Sequence, residues 1–337
     1  MKIAVVGCGA VGSYYGALLR RAGDDVHFLL RSDYEIVSRN GVQILSRDGG
    51  FRVNPTCARD PHVIGPCDLI LIALKTTANH EFRRLLPPLV GPQTVLLTLQ
   101  NGLGNEEDLA ALFGAENVMG ALCFVCLNRL EPGVIQHMAH GHIHLGEFQR
   151  PPIERTHEVA RLFRRAGVPV TVADRLDLAH WEKLIWNIPF NGLSVASAAG
   201  SNALKLGCWD TAQRFNCLST DRLLDDPQWI ETLRFLMREV ISIARGLGFQ
   251  LNDELVEDQI ARTREMGVYR PSTLIDFELG RDIELRSLFE RPLVEARRLG
   301  LSTPWLERLC VVLRQLADHN NVNVGQTASC DATTGLR

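Results

Sequence analysis

The stretch that decides the fold is "KIAVVGCGAVGSYYGALLRRAG" at residues 2–23. Its first five residues form a short apolar run that predicts a buried β-strand. A helical pattern follows from Ala10 to Ala22, and Gly23 marks its end. Between strand and helix, "GCGAVG" has the spacing G-x-G-x-x-G. In this position the spacing is typical of a dinucleotide-binding loop.

Each glycine of the loop has its own task when a dinucleotide binds. Gly7 permits the tight turn, Gly9 lets the backbone approach the pyrophosphate, and Gly12 allows the helix to pack closely on the sheet. Free N–H groups at the helix N-terminus then face the anion. We therefore predict that the cofactor contacts the whole loop, which consists of Gly7, Cys8, Gly9, Ala10, Val11 and Gly12.

The end of the second predicted strand, "DVHFLL" (25–30), indicates which dinucleotide is preferred. NAD sites usually have an acid there to hold the ribose diol, whereas this chain has Arg31. A guanidinium group matches a 2′-phosphate, so the sequence favours NADP. Asp33 leaves the alternative open, because it could take the role of the acid if the strand ends later.

Further apolar runs predict a doubly wound parallel sheet in the first half of the chain. "DLILIAL" (68–74) and "TVLLTL" (94–99) suit strands that are buried on both faces. "VQILSRDGGFRVN" (42–54) suits a hairpin with Asp48 in its turn. From about 118 to 147 we expect antiparallel strands that extend the sheet.

Two polar residues directly follow the buried strands, namely Lys75 and Asn101. Ligands of open α/β sheets bind outside the carboxyl ends of the strands, so we predict both residues at the ligand site. Each also has a plain structural interpretation. Lys75 could cover exposed backbone, and Asn101 with Gly102 could form an ordinary turn.

After Asp174 almost every periodic segment is helical. The predicted fold class is therefore α/β, with an N-terminal Rossmann-type doubly wound sheet followed by an all-helical C-terminal domain. We place the nucleotide domain at 1–174, the helical domain at 175–318 and a tail at 319–337.

The segment "HWEKLIWNIPFNGLS" (180–194) carries the candidate chemistry of the helical half. Lys183, Asn187 and Asn191 recur every four residues and so share one helix face among apolar neighbours. Poor solvation brings the pKa of a lysine toward the range where it donates a proton at neutral pH. Amides can orient a carbonyl or a carboxylate without adding charge. In the alternative, Lys183 reaches solvent and the asparagines bond to backbone.

Composition excludes several classes of function. The chain has 337 residues, of which 46% are hydrophobic, and a net charge of −3. This balance gives no electrostatic case for nucleic acid or an anionic membrane as partner. No apolar run approaches the ~20 residues of a membrane span. Nine irregularly spaced cysteines predict reduced thiols and a cytoplasmic protein.

Two motifs could be mistaken for metal sites. "CFVC" (123–126) is a single C-x-x-C in a strand-like run, where residues three apart face opposite sides. "HMAHGHIHLGE" (137–147) has four histidines but no cysteine or carboxylate in a matching position. We therefore predict no metal.

Together these motifs resemble the ketopantoate reductase (2-dehydropantoate 2-reductase) family over residues 1 to about 318. The resemblance rests on the loop at 7–12, Arg31, "LK" at 74–75, "QNG" at 100–102, W-x-K-x-x-x-N-x-x-x-N at 181–191 and S-x-x-x-D at 272–276. It implies NADPH as cofactor and the reduction of 2-dehydropantoate to (R)-pantoate on the way to pantothenate. The partner molecule would be a small 2-oxoacid, and a homodimer stays open.

The resemblance also implies roles for single residues. Lys183 would be the proton donor. The residues that bind substrate would be Asn101, Asn187, Asn191, Ser272 and Glu284. Besides the loop, the cofactor would contact Arg31, Lys75, Asn101, Glu284 and Cys126, the last through its backbone.

Two departures from the family pattern concern the choice of substrate. The family usually has Glu-x-Asp and then a glycine four residues on, whereas this chain has Glu284, Arg286 and Glu290. An arginine in place of the acid could change which oxoacid fits, or it could rebuild a salt bridge.

Two other functions stay open. β-Hydroxyacid dehydrogenases also combine a Rossmann domain with helices and a Lys-x-x-x-Asn motif. Their approach to the lysine is usually rich in glycine, unlike "DLAHWEK" (177–183). A non-catalytic NADP-sensing protein would keep the fold and lose the chemistry, and the complete residue set argues against it. Turnover of NADPH with any 2-oxoacid separates an enzyme from a sensor.

Overall fold

A computed structural model describes residues 1–47 and 49–331 of the chain. These residues form two compact units, one from Met1 to His180 and one that begins at Trp181. The division falls within the helix that carries Lys183. The domain limits at 174 and 318 remain predictions.

The first unit contains a ten-stranded sheet. Its strands are β1 (Lys2–Val6), β2 (Asp25–Leu29), β3 (Val42–Ser46), β4 (Phe51–Val53), β5 (Thr56–Ala58), β6 (Cys67–Ile72), β7 (Val90–Thr98), β8 (Val118–Glu131), β9 (Val134–Glu147) and β10 (Val170–Val172). Across the sheet the order is β4-β3-β9-β8-β7-β6-β1-β2-β5, and β10 pairs with β9. From β5 through β2, β1, β6 and β7 to β8, all neighbours are parallel.

The antiparallel extension of this sheet is built by hairpins. Strands β8 and β9 run antiparallel along most of their length and turn at Pro132 and Gly133. Strands β3 and β4 form a second antiparallel pair, and β3 joins β9 in parallel. The predicted extension between 118 and 147 is confirmed. Asp48, the predicted turn residue of the second hairpin, lies outside the described residues.

Helices cover both faces of the parallel sheet. In the first unit they are α1 (Ala10–Arg21), α2 (Tyr34–Asn40), α3 (Pro61–Ile64), α4 (Phe82–Leu85), α5 (Asn105–Phe113) and α6 (Glu154–Arg165). Successive side chains of a strand point to opposite faces. In β1, Ile3 and Val5 accordingly enter one apolar cluster with Phe163, while Ala4 enters another with Phe82. The predicted doubly wound arrangement is confirmed.

The second half of the chain is helical. Its helices are α7 (Leu176–Ala196), α8 (Ser201–Leu206), α9 (Thr220–Asp225), α10 (Pro227–Gly246), α11 (Glu254–Glu265), α12 (Ser272–Glu278), α13 (Arg291–Arg298) and α14 (Pro304–Asp331). A π-helical turn (Arg286–Glu290) leads into α13. No strand follows Val172 in the described part of the chain, as the sequence predicted.

The last helix is longer than its apolar periodicity indicates. The pattern ends near residue 318, yet α14 continues to Asp331, through much of the predicted tail. Apolar periodicity indicates only where a helix buries one face. An established helix can extend further without a buried face, because each added residue contributes one backbone hydrogen bond. Residues 332–337 lie outside the described residues. None of the described helices has both the length and the apolarity that crossing a membrane requires.

Candidate functional site

The loop between β1 and α1 has the geometry of a phosphate cradle. Gly7 has a φ of 98°, and a Cβ there would lie 2.3 Å from the backbone nitrogen of Leu74. A Cβ on Gly12 would lie 2.3 Å from the carbonyl oxygen of Gly7. At Gly9, by contrast, no heavy atom of the described residues other than its own chain neighbours lies within 4 Å of the Cβ position. The open space therefore occurs where a pyrophosphate must approach, directly before the N-terminus of α1.

Cys8 fastens this loop to the sheet. Its Sγ lies 3.5 Å from the carbonyl oxygens of both Val5 and Leu29, and the carbonyl oxygen of Cys8 accepts a hydrogen bond from Ser13 Oγ at 3.0 Å. Burial raises the pKa of the Cys8 thiol well above its usual value, so the side chain is neutral. A cofactor would accordingly meet the backbone of Cys8 rather than a thiolate.

The two candidates for recognition of the adenosine ribose have different surroundings. Arg31 is exposed just beyond β2. Asp33 is buried, and its carboxylate accepts hydrogen bonds from Arg129 Nη2 at 2.5 Å and from Ser32 Oγ at 2.9 Å. A carboxylate that already neutralises an arginine is a poorer partner for a ribose diol. The geometry thus favours Arg31, and with it a 2′-phosphate.

A network of amides joins the carboxyl ends of β6 and β7. Gln100 Nε2 donates to the carbonyl oxygen of Leu74 at 2.9 Å and to Asn79 Oδ1 at 2.8 Å. Thr98 Oγ1 donates to Gln100 Oε1 at 3.0 Å. Lys75, which is exposed, directly follows the tethered Leu74. Asn79 has no signal in the sequence, and Gln100 is visible there only as part of the "QNG" motif, without its supporting role.

The same network continues to the predicted residue Asn101. Asn79 Nδ2 donates to Asn105 Oδ1 at 3.0 Å, and Asn105 Nδ2 donates to the carbonyl oxygen of Asn101 at 3.1 Å. Asn101 therefore belongs to a hydrogen-bonded loop that leads into α5, and this loop has more internal bonds than a simple turn. Its side chain is half-buried.

The histidines of β9 have partners within the sheet. His137 Nδ1 lies 2.9 Å from Ser46 Oγ, and its Nε2 lies 2.9 Å from the carbonyl oxygen of His140. The ring of His142 stacks on Phe124 at 4.6 Å. Gly141, with a φ of 128°, interrupts the strand register, so the period of two is broken at this point. Among the described residues no three His, Cys, Asp or Glu side chains are grouped to hold a metal ion.

The predicted cofactor residue Cys126 lies on β8, opposite Ala139. It is buried, whereas Cys123 of the same motif is half-buried and its Sγ lies 3.9 Å from the carbonyl oxygen of Leu99. No disulfide joins the two, since both are free thiols.

In the second unit, α7 presents the predicted polar face. Lys183 is half-buried, and Asn187 and Asn191 are only 7% and 4% exposed. The flanking residues Ile185 and Phe190 are fully buried. The helix continues through Pro189 without a break. Lys183 thus shares one face of α7 with the buried amides of Asn187 and Asn191, and apolar side chains flank this face. It is the one lysine or arginine in α7.

Asn191 connects this stripe to α12. Its Oδ1 accepts a hydrogen bond from the backbone N–H of Thr273 at 3.2 Å. The contact brings Asn191 close to Ser272, the first residue of α12. For Asn191 the alternative of a bond to backbone is therefore partly realised, while its Nδ2 can still donate to a ligand.

The third predicted element of this unit surrounds Glu284. Glu284 is buried, and its carbonyl oxygen accepts the N–H of Leu288 at 3.2 Å, at the start of the π-helical turn. Short π-helical segments are frequent at functional sites. Arg286 is exposed, and Glu290 forms an ion pair with Arg314. This ion pair involves Glu290 and not Arg286, so the expectation that Arg286 rebuilds a salt bridge or changes which oxoacid fits stays a prediction.

Comparison with known proteins identifies the family. The model "Ketopantoate reductase PanE/ApbA" matches residues 3–150, and "Ketopantoate reductase PanE/ApbA C terminal" matches residues 206–317. The 2-dehydropantoate 2-reductase of Nostoc sp. is 36% identical over 325 residues, which cover 95% of this chain and 96% of that protein.

Solved structures agree with the family models. The 2-dehydropantoate 2-reductase from Geobacter metallireducens is 44% identical with a TM-score of 0.85, covering 94% of this chain and 99% of that one. The enzyme of that name from Methylococcus capsulatus is 30% identical with a TM-score of 0.83, covering 95% and 98%. The resemblance found in the sequence is confirmed. The chain belongs to the ketopantoate reductase family.

Proposed function

We propose that the protein catalyses the NADPH-dependent reduction of 2-dehydropantoate to (R)-pantoate, a step of pantothenate biosynthesis. Family membership over nearly the whole chain supports this proposal. The observation that carries it is the face of α7, where the half-buried Lys183 shares a stripe with the buried Asn187 and Asn191.

Lys183 is the proposed proton donor. When bound, NADPH supplies a hydride to C2 of the oxoacid, and the oxygen on C2 then requires one proton. Lys183 is a half-buried amine with apolar flanks on the stripe of buried amides, and an ammonium N–H can act as a general acid. Its Nζ–H would donate to that oxygen and transfer the proton as the C–O double bond is reduced.

The remaining residues bind and orient. The loop at 7–12 and the start of α1 hold the pyrophosphate with backbone N–H groups, and Arg31 pairs with the 2′-phosphate. Lys75, Asn101, Glu284 and the backbone of Cys126 complete the proposed cofactor contacts.

On the substrate side, Asn187 and Asn191 orient the polar groups of the oxoacid. Ser272, which begins α12, donates to its carboxylate, and Asn101 and Glu284 are the further substrate contacts. Asn191 has a second task, because its bond to the Thr273 N–H holds the α12 turn that contains Ser272.

A panel of 2-oxoacids tests the proposal. NADPH oxidation is followed by absorbance with 2-dehydropantoate and with smaller, longer and unbranched 2-oxoacids. We expect the highest kcat/KM with 2-dehydropantoate. NADPH binding without turnover of any 2-oxoacid would support the NADP-sensing protein. NADP+ reduction with β-hydroxyacids, in an enzyme that reduces none of the 2-oxoacids, would support the β-hydroxyacid dehydrogenase.

Assembly and location are further parts of the proposal. The eight cysteines from Cys8 to Cys310 are all free thiols, which suits a reducing, cytoplasmic compartment. We keep the homodimer as the proposed assembly. Sedimentation should give twice the 37.5 kDa mass of the chain, and a mass of one chain would contradict it.

A further inference from the structure

A buried acid–imidazole pair lies outside the residues assigned so far. His180 Nε2 is 3.0 Å from Glu106 Oε1, and the two residues are only 7% and 3% exposed. Both belong to the first unit. Removing two polar groups from water costs free energy, and an apolar pair of similar volume often stabilises a fold equally well. A buried pair is therefore weak support for a purely stabilising role.

The surrounding backbone leaves room for this carboxylate. Gly120 of β8 faces the pair, and a Cβ at that position would lie 2.4 Å from Glu106 Oε1 and 2.8 Å from Leu176 Cδ2. Any larger residue at 120 would displace the acid from the imidazole. The sheet, α5 and the first turn of α7 thus meet at this point.

The pair connects two elements that carry candidate site residues. Glu106 lies in the first turn of α5, directly after Asn105, whose side chain holds the carbonyl oxygen of Asn101. His180 lies in α7, and Lys183 follows three residues later in the same unbroken helix. One helical turn separates the two side chains, and residues three apart lie on neighbouring parts of the helix surface.

We propose that Glu106 and His180 are positioning residues of the reductase. Their hydrogen bond fixes the first turn of α7, up to His180, on α5 within the first unit, and the continuous helix carries this constraint to Lys183 three residues later. This inference rests on the proposed function, in which Lys183 donates the proton. A displacement of about 1 Å in a reacting group can cost on the order of 10²-fold in rate.

The central test measures the pair in two backgrounds. In the otherwise unchanged enzyme, His180→Ala should lower kcat with 2-dehydropantoate by about 10- to 100-fold. The Kd of NADPH, measured by its fluorescence, should stay within about twofold, because the hydrogen bond of the pair joins α5 to α7 and leaves the loop at 7–12 unchanged. In a Lys183→Ala background, His180→Ala should cause almost no further loss of kcat, since the group that it positions is absent.

Conservative variants test whether the hydrogen bond between Glu106 and His180 or the charge of Glu106 matters. Glu106→Gln keeps an oxygen that accepts from His180 and should retain most of kcat, whereas Glu106→Ala should match His180→Ala. Should the alanine variants fail to fold, His180→Gln keeps an N–H donor in altered geometry and should still lower kcat at least about threefold.

Glu147 provides a matched control. It is also a buried acid of the same unit, and it is bonded to Arg155 and Thr156. Glu147→Gln should lower Tm while kcat stays within about twofold. If the Glu106 and His180 variants behave like this control, or if their losses multiply with that of Lys183→Ala, the inference is overturned. An unchanged enzyme that reduces no 2-oxoacid would instead overturn the proposed function.

Discussion

At the scale of single residues, Lys183 is the critical group. Lys183→Ala removes the proposed proton donor, and general-acid catalysis typically contributes ~10²–10⁴-fold. We expect kcat/KM for 2-dehydropantoate to fall by at least that range, with little change in NADPH affinity, since the phosphate loop is remote in sequence and intact. Asn187→Ala should cause a smaller loss, mainly in KM. Near-normal turnover of Lys183→Ala in steady-state assays would show that the polar stripe of α7 is structural.

Arg31 is the residue that should decide cofactor preference. Because Asp33 is paired with Arg129, the exposed guanidinium of Arg31 is the better of the two candidates, and we expect it to favour a 2′-phosphate. NADPH should therefore bind more tightly than NADH. Arg31→Ala should remove about 1–3 kcal/mol of that advantage. Fluorescence titration with both cofactors measures the difference, and equal affinities in the unchanged protein would contradict the assignment.

The buried thiols should react much more slowly with alkylating reagents than the exposed one. Burial raises the pKa of Cys57 and of Cys67 to about 11, and that of Cys310 to about 12. The thiolate is the reactive form, so at pH 7 only about one in ten thousand of the Cys57 thiols is reactive. Cys208 is exposed. In folded protein treated with iodoacetamide, mass spectrometry should find Cys208 labelled well before the other three. Early labelling of Cys310 would show that its surroundings open readily.

Candidate ligand-binding residues could be proposed from the sequence, whereas the residues that support them in the structure could not. Lys75 and Asn101 could be found because they follow long apolar runs. Gln100 and Asn79 could not, because their bonds join side chains 21 positions apart in the chain. The same holds for Glu106 and His180, which are 74 positions apart and have no motif of their own. Periodicity indicates which face of a helix is buried, but it does not identify the partner.

At the scale of elements, buried strands and the phosphate loop were predictable because their patterns are local. Strand β1 is followed at once by the loop and α1, so one segment defines all three. The parallel pairing of β3 with β9 was not predictable, since it joins segments about 90 residues apart through register alone. The break at Gly141 was missed for a related reason. A bulge is visible only once the opposite strand is known.

Glu147, the last residue of β9, should make the stability of the protein depend on pH. Burial alone would raise the pKa of Glu147, but hydrogen bonds from Arg155, Thr156 and Arg150 outweigh it and lower the pKa below its ordinary value. A carboxylate with a lowered folded-state pKa stabilises the fold above its unfolded pKa of about 4.3. This stability is lost as the pH falls through the folded-state value.

Glu147→Gln should therefore destabilise the protein most at neutral pH. We expect the free energy of unfolding to drop by about 2 kcal/mol at pH 7, and the difference from the unchanged protein to shrink below about pH 4. Urea denaturation at a series of pH values measures both. A difference that stays constant down to acid pH would show that the ion pairs do not account for the shift.

At the scale of the whole molecule, similarity to the family extends over both halves of the chain, whereas the two departures identified from the sequence, at Arg286 and Glu290, lie in one short segment. The two family models together match residues 3–150 and 206–317. Within the second match, Glu290 is engaged by Arg314, while the Arg286 side chain is exposed. The chain-wide agreement favours the family substrate, and the local difference is the place where another oxoacid could be selected.

A substitution at Arg286 therefore tests whether this arginine affects only the protein surface or also the choice of substrate. Exposed side chains without a buried contact usually contribute little, so Arg286→Ala should alter kcat/KM for 2-dehydropantoate by less than about threefold. The order of preference in the 2-oxoacid panel should also stay the same. Arg314→Ala is the matched control, because it leaves Glu290 without its ion pair and should lower Tm rather than change that order. If Arg286→Ala instead moved the best substrate to another 2-oxoacid, the guanidinium would be part of the binding site, and the natural substrate would have to be sought among acids that it recognises.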